Sequence, residues 1–161
     1  MNIVTKSHKG DFCLQHNGET LNQLNYTNWF TGKAKADFQK QQIEIYPKNI
    51  WQNKYYIYKN GDNAGSISVN WKGFFKICLN ALNGQEINYI FKPRGVWKLR
   101  FELYTEDESL LLTMHAINNW RKLNYDYQVE SLGNTTPINE TELLIYCGYA
   151  ANQYLAMISA S

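Results

Sequence analysis

Four cations fall within nine residues in the segment Lys92-Pro93-Arg94-Gly95-Val96-Trp97-Lys98-Leu99-Arg100. At that density an arginine fork and a lysine point charge can hold one phosphate or carboxylate between them. Lys98 and Arg100, two apart on an extended chain, project to the same side and could grip one phosphate group. Lys92 and Arg94, held near a turn by Pro93 and Gly95, could close around the same anion. The same spacing recurs at Lys33 and Lys35, and with Glu102 continuing the row the segment also reads as a solvated outer face of a sheet.

The other reactive side chains form no constellation. His8, His16 and His115 lack the spacing of a metal pair and adjoin no nucleophile motif. His115 shares an alternating face with Leu111, Thr113 and Ile117, as a packed or half-exposed strand histidine does. Glu106-Asp107-Glu108 are adjacent acids that splay outward from a turn, whereas a calcium loop needs ligands at alternating positions plus carbonyls. Glu102, Glu44 and Asp37 lie in separate segments, so no hydrolytic carboxylate pair is marked. Cys13, Cys78 and Cys147 are odd in number and widely spaced, with neither a disulfide framework nor a zinc pattern. The expectation is a protein that is not an enzyme, with no catalytic residue, no metal and no cofactor.

The elements that position these residues are mostly strands. The chain has 161 residues, 44% hydrophobic, with 12 Tyr, 7 Phe and 5 Trp, enough for one domain over residues 1–161 whose rings suit a wide β core. Tyr55-Tyr56-Ile57-Tyr58 leads into Asn60-Gly61, which supplies the positive φ angles of a tight hairpin, and Ser66 to Trp71 returns. Phe74 to Leu79 and Glu86 to Phe91 flank a second Asn-Gly pair at Asn83-Gly84. Trp97 to Tyr104 alternates, with Trp97, Leu99, Phe101 and Leu103 on one face and Lys98, Arg100 and Glu102 on the other. Leu110 to Asn118 and Leu123 to Val129 follow. Phe12 to Gln15, Leu21 to Tyr26 and Gln42 to Tyr46 are weaker strands. No helical crossover interrupts them, so the sheet is antiparallel, and closure into a barrel of about 10–12 strands removes its edges.

The end of the chain differs. Asn139 can cap a helix, Glu142 can reach back to the cap, and Ile138 can staple onto Leu143. From Leu143 to Ser161 there is no charged residue, so this helix has no water face and must be enclosed by protein or lipid. A membrane span needs about 20 strongly apolar residues, whereas this run holds Asn152, Gln153 and three tyrosines and follows Glu140 and Glu142. The expectation is therefore no transmembrane span, but a hydrophobic C-terminal helix enclosed by the barrel.

A β-meander barrel closed around a C-terminal hydrophobic helix resembles the tubby C-terminal-like superfamily, which includes phospholipid scramblases and LURP-one-related plant proteins. The resemblance covers roughly residues 41–161. It is carried by Tyr56-Ile57-Tyr58-Lys59-Asn60-Gly61-Asp62-Asn63-Ala64-Gly65-Ser66-Ile67, similar to that family's hairpin, and by the uncharged terminal helix. It implies a barrel of about twelve strands and phosphoinositide binding through a basic pair spaced like Lys98 and Arg100. The acids stop at Glu142, leaving no counterpart of the calcium ligands attributed to scramblases.

Formal net charge is +2, from 16 basic and 14 acidic residues, too small for long-range attraction of nucleic acid, which is not expected as a partner. The first eight residues lack the apolar run of a secretory signal, which predicts a cytoplasmic location. The leading expectation is a binding module for an anionic lipid headgroup at Lys92, Arg94, Lys98 and Arg100, at the membrane surface. A protein partner at Trp29, Phe30, Trp51 and Trp71 competes with it. The alternative is a lipocalin-like carrier of a small apolar ligand, with the terminal helix packed outside.

Overall fold

The computed structural model describes residues 1–51, 53–81, 83–95 and 98–160. Twelve strands precede one helix: β1 (Asn2–Thr5), β2 (Phe12–His16), β3 (Glu19–Asn28), β4 (Lys33–Phe38), β5 (Gln41–Pro47), β6 (Lys54–Lys59), β7 (Asp62–Val69), β8 (Phe75–Asn80), β9 (Glu86–Arg94), β10 (Arg100–Thr105), β11 (Leu110–Asn119), β12 (Asn124–Ser131) and α1 (Glu140–Ser159). Each strand pairs antiparallel with its chain neighbours, and β1 pairs with β12 through Asn2↔Gln128 and Ile3↔Tyr127. The meander thus closes into a barrel with no free edge.

Alternation decides what faces in. Phe101 and Leu103 of β10 are fully buried, while Arg100, Glu102 and Tyr104 lie on the outer wall. Asn60 and Gly61 take the positive φ angles expected of the β6–β7 turn. Gly65 has a structural reason of its own: at φ +153 a Cβ would stand 2.1 Å from the carbonyl oxygen of Cys78 on β8. Only glycine lets β7 and β8 approach here.

The sequence patterns mark ten strands, and the structure adds β1 and β4. The first has only four residues, and the second reads Lys-Ala-Lys-Ala-Asp-Phe, where the inward Ala34 and Ala36 are too small to announce a core face. The strand expected from Trp97 begins instead at Arg100. Lys98 lies in the preceding loop, and Trp97 lies outside the described residues.

Twelve strands enclose more space than their own side chains can fill, since eight already leave an interior just wide enough for wall residues. The helix fills the rest. Leu144 to Cys147 and Tyr149 to Ala151 are at 0% exposure, as an enclosed helix requires. Small residues let it lie against the wall, and at Gly148 a Cβ would stand 2.6 Å from the Phe12 ring. Asn139 caps α1 by accepting from the Thr141 amide at 2.9 Å. Glu142 does not reach back to the cap. It pairs with Lys59 and accepts from the Tyr146 hydroxyl at 2.8 Å, because a carboxylate entering the barrel mouth needs a countercharge more than the cap needs a second acceptor.

At the far end the polar side chains of α1 bind two loops and the start of β6. Tyr149 donates to the Gly32 carbonyl at 2.7 Å, Asn152 to the Gly10 carbonyl at 2.8 Å, and Gln153 accepts from the Tyr55 hydroxyl at 2.9 Å. The last turn departs from the expectation of full enclosure: Ala156 to Ser159 are exposed, protruding past the loops. No helix of the described residues is long and apolar enough to cross a membrane.

Two predictions follow from this enclosure. Ala151→Lys places an unpaired ammonium inside the barrel, and thermal melting should show a loss of several kcal/mol or no folded protein. Deleting residues 143–161 removes Leu143, Leu144, Ile145, Tyr146 and Tyr149, each worth ~1.5–3 kcal/mol against a domain stability of ~5–15 kcal/mol. The truncated chain should show no cooperative unfolding transition by circular dichroism.

Candidate functional site

Strands β9 and β10 bring three of the four sequence-marked cations onto one patch of outer wall. Arg94 and Arg100 are direct cross-strand partners, and Lys92 stands opposite Glu102. Two facing guanidinium groups repel, and the residue between them relieves this: Arg94 Nε donates to Glu102 Oε2 at 3.0 Å and Arg100 Nε to Glu102 Oε1 at 3.1 Å. Tyr104 donates to the same carboxylate at 2.6 Å. The Lys92 ammonium sits 4.6 Å from the centre of the Tyr104 ring and 5.7 Å from that of Phe74, a cation–π cradle that keeps its charge at the surface.

Burial pushes the Glu102 carboxyl up, but the hydrogen bonds from Tyr104, Arg94 and Arg100 outweigh it and hold the group below its ordinary value. Glu102 therefore stays ionised as a resident anion among three cations, and the patch remains net positive. Lys98 is not on this wall. It is exposed in the β9–β10 loop, drawn tight by Gly95, where at φ +82 a Cβ would stand 2.3 Å from the Lys98 carbonyl oxygen. The pairing of Lys98 with Arg100 on one strand face is thus corrected: the strand starts at Arg100, and Lys98 extends the patch over the barrel's rim.

That rim has a character that no linear reading collects. In a closed meander the loops alternate between the two ends, so those after β1, β3, β5, β7, β9 and β11 all surround the protruding tip of α1. They carry Lys6 and Lys9, Lys48, Lys72, Lys98, and Arg121 and Lys122. The acids there are occupied within the fold. Asp11 accepts from the Tyr26 amide and the Ser7 hydroxyl, and Asp126 from the Thr5 amide and Asn119. The opposite end gathers Glu19, Asp62, Glu86, the Glu106-Asp107-Glu108 turn and Glu140, which outnumber its cations Lys40 and Lys59, the latter paired with Glu142. A chain of net charge +2 is therefore strongly polarised along the barrel axis.

The remaining sequence candidates stay apart. His115 is exposed on the outer wall with its Nε2 3.5 Å from Glu130 Oε2, and His8 and His16 lie at opposite ends of β2. Among the described residues no three metal-ligating side chains converge. The chain matches no protein-family model, no curated protein and no solved structure.

Glu102→Gln should test the resident anion. Its ionised form stabilises the fold fully above the ordinary glutamate range, and this contribution is lost as pH falls through the lower folded-state value. The variant should lose ~1 kcal/mol or less at neutral pH, because both arginines are open to solvent, and its melting temperature should depend less on pH in the acid range. It should also bind inorganic phosphate more tightly than the wild type, measured by calorimetry.

Proposed function

We propose that the protein is a non-enzymatic, tubby-like binding module that engages anionic phospholipid headgroups at a membrane surface. Lys92, Arg94, Lys98 and Arg100 make the headgroup contacts in this reading. The observation that carries it is the segregation of charge, with the cationic loops and this patch at one end of the barrel and the acids at the other. A flat anionic surface attracts one end of such a molecule and repels the other, so it both binds and orients it.

The twelve-stranded barrel around its own C-terminal helix is the architecture that the tubby resemblance implies, and it supports that part of the proposal. The filled lumen counts against the lipocalin-like carrier, whose ligand would need the space that α1 occupies. It also removes the sheltered interior in which a barrel enzyme would work. A cytoplasmic location belongs to the same reading, because the cytoplasmic leaflet is the anionic one, and Cys13, Cys78 and Cys147 are all free thiols. The competing protein partner would use Trp29, Phe30, Trp51 and Trp71, which are exposed at the same end.

Co-sedimentation with vesicles of phosphatidylcholine alone, or with added phosphoinositide, tests the reading at low and physiological ionic strength. The wild type should pellet only with the anionic vesicles, and less so as salt rises. Lys98→Ala combined with Arg100→Ala should weaken binding roughly tenfold or more, at about 1 kcal/mol per basic residue near the surface. Equal binding by both proteins, or none by either, would remove the lipid and leave a protein partner ahead.

A further inference from the structure

Four of the five tryptophans sit in loops at the helix-exit end: Trp29 between β3 and β4, Trp51 between β5 and β6, Trp71 between β7 and β8, and Trp120 between β11 and β12. They are 48%, 78%, 89% and 78% exposed, and the neighbouring loop residues Ile50 and Leu123 are 86% and 83% exposed. Among the described residues, the opposite end exposes only Leu132, after β12, and Leu21, near the start of β3, each at 46%, and no exposed tryptophan. A single exposed tryptophan needs no explanation, but a ring of them at one end does.

We propose that this ring is a bilayer-insertion surface, on which the loop tips enter the interfacial layer of an anionic membrane while the surrounding cations hold the headgroups. The inference rests on the lipid reading above for its anionic surface and adds insertion to it. Three features select this occupant. Tryptophan has an apolar body and a polar N–H, which suit the boundary between headgroups and acyl chains. Cations alternate with these side chains around the ring, and the Lys72 ammonium lies 5.1 Å from the centre of the Trp71 ring. The hydrophobic residues stand on separate loop tips around the end of a barrel, a shape that meets a flat layer all at once.

Aliphatic tips distinguish this surface from a single-stranded nucleic-acid platform, where aromatic faces stack on bases. Ile50 and Leu123 have no face to stack and gain only from leaving water. Trp51 and Trp71 line an open cleft of about 500 Å³ together with Ala156 and Met157 of α1, so the apolar surface continues from the loops onto the helix tip. The acid-rich end points away from the bilayer in this orientation.

Intrinsic tryptophan fluorescence of the full chain, with vesicles of phosphatidylcholine alone and of equimolar phosphatidylcholine and phosphatidylserine, tests the proposal. Matched vesicles with brominated acyl chains serve as quenchers. The wild type should show a blue-shifted emission and bromine quenching with the anionic vesicles. Trp51→Ser combined with Trp71→Ser, which alters no buried side chain, should keep the wild-type melting temperature and bind these vesicles roughly tenfold more weakly at physiological ionic strength. Pelleting with anionic vesicles without a blue shift or quenching would overturn insertion and leave the headgroup reading standing. Absence of binding to every vesicle would overturn both, as would tight binding of a fluorescent single-stranded oligonucleotide by a protein that ignores vesicles.

Discussion

A closed sheet of twelve strands leaves an axial space that its own side chains cannot fill, and the packing of α1 into that space is the interaction on which the rest depends. The wall and the helix are fitted to each other. Gly148 of α1 lies where a Cβ would stand 2.6 Å from the Phe12 ring of β2, and Tyr149 packs its ring against Tyr26 of β3 and Tyr55 of β6. Neither part has a stable alternative: the helix has no charged face for water, and the barrel without it would enclose a void.

Polar groups on the helix fix its register along the barrel axis. Glu142 is neutralised by Lys59 at the entry, and Tyr149, Asn152 and Gln153 are satisfied by loop carbonyls and hydroxyls at the exit. Sliding by one turn would break both sets at once and leave buried polar groups without partners. Pinned in this way, the helix occupies the barrel axis and brings its own tip out among the loops that follow the odd-numbered strands. The two ends of the barrel differ in charge and in exposed tryptophan content.

Much of this is legible in the sequence where a pattern is local. The Asn-Gly turns, the alternation through Phe101 and Leu103 and the uncharged terminal run each report a nearby physical requirement, and together they imply the closed barrel and its enclosed helix. Strands β1 and β4 escape because one is too short and the other buries only alanine and Phe38. The reach of Glu142 to Lys59 escapes because its partner is distant in the chain. The candidate site divides in the same way. The basic cluster from Lys92 to Arg100 stands out as a run, whereas Glu102 as its shared countercharge appears only when β9 and β10 are paired. The convergence of Trp29, Trp51, Trp71 and Trp120 needs the alternation of loops between ends, a property of the whole meander.

Cys147, near the middle of α1, reports directly on whether the helix stays locked inside the barrel. Its thiol is fully buried, and burial pushes its pKa up strongly, so it can react only when the barrel opens. The decisive measurement is the rate of maleimide labelling of each cysteine in the native protein, resolved by peptide mass spectrometry and compared with the global unfolding rate. Cys147 should be labelled no faster than the whole chain unfolds, while the half-buried Cys78 reacts sooner. Rapid labelling of Cys147 under native conditions would instead place the helix outside the barrel for part of the time.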